Sequence, residues 1–166
     1  MSKIQNLMQE GVTSKLVETE KADYTGFFRT TYKDNLAAAG DNLIKHPRWC
    51  IIAGYYAMHD ITKLFLADKY GLKINKRTHT ATIIALREVL KEKETMDELL
   101  EMLKEADRIF REVNLVKYLE KGRSEREKAQ YYTNERLDFR THHKKASYFV
   151  AEIVEPFMKI MEGLVK

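Results

Sequence analysis

The chain has 166 residues, 44% of them hydrophobic and 33% charged, which suits one ordinary folded domain rather than a disordered or multi-domain protein. A formal net charge of +4 and a pI near 9.0 permit contact with nucleic acid or phosphates without demanding it. One cysteine excludes an intrachain disulfide framework. With no apolar signal-peptide run behind Met1-Ser2-Lys3, the expected compartment is the cytoplasm.

Apolar spacing predicts helices from end to end. Residues from about 3 to 20 form a weak amphipathic segment (Ile4, Leu7, Met8, Val12, Leu16), and a second covers about 24 to 45. Pro47 is a good first-turn residue for a third helix that ends at Gly71. That helix is apolar all round in its first turns, but the ten uncharged residues from Trp49 to Met58 are too few to cross a bilayer. It is expected at the centre of a bundle, covered by its own neighbours on one side. A second subunit or the N-terminal segment is expected to cover the other.

Beyond a basic connection from Leu72 to Arg77, Thr78 reads as the N-cap of a short helix through Leu90. Thr95 and Glu98 read as a capping box for the next, which carries Met96, Leu99, Leu103, Ala106, Phe110 and Val113 and ends at Gly122. A short helix is expected around Ser124 to Tyr132. The last helix has the clearest stripe, from Ala146 through Ile153 and Phe157 to Leu164, and Pro156 inside it predicts a kink or break. The expected fold is a single all-α domain over 1–166, an up-and-down bundle of four or five helices with an N-terminal helical extension over about 1–30.

The stretch Ala53-Gly54-Tyr55-Tyr56-Ala57-Met58-His59-Asp60, followed by Lys63-Leu64-Phe65-Leu66, resembles the second core helix of HEPN domains (higher eukaryotes and prokaryotes nucleotide-binding). Arg77-Thr78-His79 is similar to the family's Thr-His step, and Arg126-Glu127-Lys128-Ala129-Gln130-Tyr131-Tyr132 to its Arg-x-x-Ala-Asp-Tyr segment, with Gln130 in place of the acid. With the amphipathic final helix, the resemblance covers roughly 32 to 162.

The resemblance implies a small helical bundle that pairs as a homodimer and binds a nucleotide or RNA. It further implies work beside a minimal nucleotidyltransferase or in a toxin–antitoxin system. One branch of the family are metal-independent ribonucleases that use an Arg and a His four to six residues apart. There the His is general acid–base and the Arg holds the scissile phosphate. Here five residues separate Arg136 from His142 and six separate it from His143, with Leu137 where the family carries a polar residue. The alternative for this segment is a solvated basic turn before the last helix.

Tyr131 and Tyr132 among Arg123, Arg126 and Lys128, with Arg140 and Lys144 beyond, form a basic and aromatic cluster suited to stacking a base and holding a phosphate. The same cluster reads equally as tyrosines covering a core edge. His59 is expected as a hydrogen-bonded core or interface histidine. Asp60 is expected either in a cleft shared with Lys63 or in an exposed ion pair, and His79 either at an anion or in capping and packing. No Glu-x-x-His pair, Cys-x-x-Cys pair or glycine-rich phosphate loop occurs, so no metal and no cofactor is expected. A noncatalytic binding module, a metal-independent endoribonuclease and a helical adaptor for protein alone remain as the three functional readings.

Overall fold

A computed structural model describes residues 2–90, 95–113 and 135–166. The protein is an all-α bundle around one long helix. The elements run α1 (Lys3–Gln9), β1 (Thr13–Lys15), α2 (Glu18–Asn42), α3 (Pro47–Tyr70), β2 (Leu72–Ile74), α4 (Thr78–Leu90), α5 (Met96–Val113) and α6 (Glu135–Tyr148). A π-helical segment (Phe149–Val154) and α7 (Glu155–Val165) follow.

The central position of α3 follows from its composition. Fifteen of its residues are buried, among them Cys50, Ile51, Tyr55, Met58, Ile61, Leu64, Phe65 and Leu66. Residue pairs such as Asn35 with Asp60 and Phe28 with Lys63 set α2 antiparallel along one side. Helices α4, α5, α6 and α7 pack round the rest. Pro47 lies in the first turn, and Gly71 closes the helix at φ 59, a left-handed conformation that costs glycine little.

The N-terminal region departs from the expected continuous helix. Ser2 caps α1 with a capping box, but α1 stops at Gln9 and the chain turns into β1. That strand pairs antiparallel with β2, Thr13 opposite Ile74 and Lys15 opposite Leu72. The connection after Gly71 is therefore part strand, because Leu72 and Ile74 alternate inward with Lys73 between them. Leu7 is buried and α1 packs on α4, not on α3. Helix α2 begins earlier than its apolar spacing suggests and runs unbroken through residue 30.

Around Pro156 the backbone stays helical; the irregularity lies before it, where the chain widens into the π-segment over Phe149–Val154, and Pro156 then falls in the first turn of α7. Helix α5 starts directly after Thr95, whose carbonyl accepts from the Leu99 N–H at 3.1 Å. The expected helix end at Gly122 and the short helix over Ser124–Tyr132 lie outside the described residues.

Candidate functional site

On its solvent side, α3 presents Trp49, Ile52, Ala53 and Tyr56, one stripe at three- and four-residue steps. Asn35, Ala38 and Asn42 of α2 form the facing stripe, and His46 closes the end where the two helices join. Together these eight side chains line an open groove of about 510 Å³. Its two large aromatics stay in water: Trp49 is 55% exposed and Tyr56 40%. Tyr55, one residue away, is fully buried, and its ring lies 6.1 Å from that of Tyr56, so the two tyrosines mark the edge between the core and the groove.

Toward the middle of α3 the groove meets a polar cluster. Asn35 donates from Nδ2 to Asp60 Oδ2 at 3.0 Å, and Lys63 Nζ lies 3.3 Å from Asp60 Oδ1. Both members of this ion pair are largely covered, and the ammonium also rests 4.9 Å from the centre of the Phe28 ring. Asp60 and Lys63 do meet, within the packed seam rather than in an exposed pair.

Behind Tyr56, four rings from three helices interlock. His59 of α3 and His79 of α4 stand edge to face, with centroids 4.7 Å apart. The Tyr55 ring is 4.5 Å from His59 and stacks on His79 at 5.1 Å, while Phe110 of α5 stacks on Tyr55 at 4.1 Å. Tyr55 Oη donates to Asp107 Oδ1 at 2.9 Å, and Arg111 Nε donates to Asp107 Oδ2 at 2.7 Å. Burial and the bond to Asp107 hold the Tyr55 phenol well above its ordinary range.

His59 is in the core as expected but lacks the expected hydrogen bond. Neither of its ring nitrogens has a partner among the described residues, and the same holds for His79 Nδ1. Burial lowers the His59 pKa well below the usual value, helped by His79 and Lys63 nearby. Burial likewise lowers His79, with Lys63 and Arg111 opposing a second positive charge while Asp107 and Asp60 favour it. His79 is thus packed within the ring cluster, in line with the packing role expected of it. Cys50 is fully buried, and burial pushes its thiol up to about 11, which makes it a packing residue rather than a nucleophile.

The basic segment is divided. Arg123, Arg126, Lys128, Tyr131 and Tyr132 lie outside the described residues. Arg136 falls in the first turn of α6. Farther along α6, Arg140 and Lys144 are exposed, His143 is half-buried and His142 is buried in the bundle. Lys145, in the last turn, pairs with Glu112 of α5 at 2.7 Å.

The groove itself was not singled out by sequence. Asn35 and Asn42 sit seven residues apart on α2, which places them on one face, and Trp49, Ile52, Ala53 and Tyr56 repeat the spacing on α3. That double stripe is the available signal, but it appears only once the two helices are known to be antiparallel neighbours.

Among the described residues there is no group of three His, Cys, Asp or Glu side chains placed to hold a metal, and no helix long and apolar enough to cross a membrane. Comparison with known protein families, curated proteins and solved structures returns no match.

Proposed function

We propose that this chain is a noncatalytic HEPN-like module that binds a nucleotide or single-stranded RNA, with a base seated in the α2/α3 groove. The observation that carries this reading is the groove's lining: two exposed aromatic rings, Trp49 and Tyr56, beside the amides of Asn35 and Asn42. Base–aromatic stacking contributes about 1–3 kcal/mol per base, and asparagine amides match the donor and acceptor edges of bases. The volume of about 510 Å³ falls within the range of small-molecule sites. His46 and Lys45 flank the end of the groove at the start of α3, where a phosphate would meet basic side chains and the positive end of a helix dipole.

The HEPN resemblance supports the same reading. Its two motif segments, around Tyr55–His59 and at His79, are about 20 residues apart in sequence and come together in one ring cluster behind Tyr56. In this reading a second copy of the chain or a minimal nucleotidyltransferase would cover the open side of the groove. The endoribonuclease alternative rests on Arg136 with His143 more than with His142, which is buried.

Trp49 is the only tryptophan, so its fluorescence reports the groove directly. Titration with AMP, GMP, CMP and a short single-stranded RNA in excess chelator is expected to change the emission saturably. Tyr56→Ala is expected to weaken binding at least tenfold, the equivalent of about 1.4 kcal/mol of stacking. Unchanged emission with every probe would overturn the proposal. RNA cleavage in chelator that disappears in His143→Ala would replace it with the endoribonuclease.

A further inference from the structure

We infer that the contact between His59 and His79 is an acid-sensitive latch that holds the first turn of α4 against α3 and α5. The contact lies where those three helices converge, and its rings interlock as neutral groups: His59 meets His79 at 86° and Tyr55 at 63°, edge against face. A neutral imidazole is tolerated between such surfaces. An imidazolium carries two N–H groups and a charge, and it requires acceptors.

Among the described residues no acceptor is placed for it: neither nitrogen of the fully buried His59 has a partner there, nor has His79 Nδ1. Among the described residues, the charged groups that reach the pair come from two elements, Asp60 and Lys63 of α3 and Asp107 and Arg111 of α5, while α4 contributes His79 itself. Both carboxylates are already engaged, Asp60 by Asn35 and Lys63, and Asp107 by Tyr55 and Arg111. The two cations repel a third positive charge.

The two histidines differ in how easily they can leave. His59 is in the middle of a 24-residue helix with packed turns on both sides. His79 is in the first turn of a 13-residue helix, two residues beyond Arg77, which holds a positive φ of 48 without being glycine. The joint before it, Asn75 to Arg77, is exposed. Protonation is thus relieved by the start of α4 swinging outward, which takes His79 into water and admits water to His59.

The sign follows from both rings being held neutral. Above about pH 6.5, the ordinary histidine value, proton uptake favours neither state and the latch stays closed. Below it the open state takes up protons that the closed state refuses. The opening equilibrium then rises about tenfold per pH unit for each histidine involved. Tyr56 lies 5.8 Å from His79, so opening also loosens one wall of the groove, whatever that groove binds.

Amide hydrogen exchange on the full chain tests the latch between pH 7.5 and 5, with rates corrected for the intrinsic effect of pH. Protection at Ala81 to Ala85 is expected to fall at least tenfold per unit below pH 6.5, while Tyr32 to Ala39 of α2 keep theirs. His79→Asn is expected to reduce this extra dependence to the part that His59 alone supplies, and His59→Phe, which keeps a ring in place, to the part that His79 supplies. If His59→Phe does not fold, the half-exposed His79 position decides alone. Unchanged protection from pH 7.5 to 5, or the wild-type slope persisting in His79→Asn, overturns the latch.

Discussion

At Gly54, α3 makes its closest approach to the π-helical segment. A Cβ there would stand 3.0 Å from Phe149 Cε1 and 3.1 Å from Val154 Cγ2. Both of those side chains are fully buried, so neither can swing aside into solvent. The glycine is retained for space, against its poor helix propensity. Gly54→Ala gains about 1 kcal/mol of propensity and incurs about 1–3 kcal/mol of overpacking. The expected outcome is a net loss of about 1 kcal/mol, seen as a lower urea midpoint at unchanged slope. A midpoint equal to or above that of the parent would mean the π-segment can move away and that this approach does not set its position.

Among the elements, the π-segment explains how Pro156 is accommodated. Its backbone widens between Phe149 and Val154, and the Glu155 N–H reaches back to the Val150 carbonyl, five residues away. The buried set becomes Phe149, Ile153, Val154, Phe157, Met158 and Met161, a stripe that a plain α-helix would rotate past the core. Pro156 then occupies the first turn of α7, where a missing N–H is least felt. Pro156→Ala is accordingly expected to change stability by less than about 1 kcal/mol, against the roughly 3 kcal/mol recovered when a proline interrupts a regular helix. Thermal unfolding of the pair distinguishes the two values. Helix α3 was legible because its caps and its unbroken apolar run agree: Pro47 opens it, Gly71 closes it, and no charged residue interrupts Trp49 to Met58. Strands β1 and β2 were not. Each has three residues, and their pairing spans about 60 positions of sequence, beyond the reach of any local pattern.

For the whole molecule, the sequence told which helix lies at the centre but not what its outer face meets. Trp49 and Tyr56 were expected to be covered, but α1 packs on α4, and the two residues remain 55% and 40% exposed, Tyr56 with one side against His79 and Phe110. The groove arises from the pairing of α2 with α3, and the ring cluster from three helices meeting, so both are tertiary properties. Their effect on stability is global. His59 and His79 are held below the ordinary histidine value, so stability is complete above about pH 6.5 and falls as pH drops through it. For the fully buried His59 the slope is about 1.4 kcal/mol per pH unit, a large fraction of the 5–15 kcal/mol typical of a domain. His79, half in solvent, adds less. Among the described residues, Glu105, lowered by Arg108, and Glu112, lowered by Lys145, are carboxylates that would add acid sensitivity, and theirs begins only below about pH 4.5. On the alkaline side Tyr55 is raised by burial and Asp107, and Cys50 by burial, so stability declines above about pH 9 to 10 as the unfolded chain ionises. Urea midpoints measured across pH should therefore show a plateau from about 6.5 to 9, with an acid limb that starts well before carboxylates titrate. If the midpoint stays level down to pH 5 and falls only below 4.5, the carboxylates govern acid stability and the histidine pair does not.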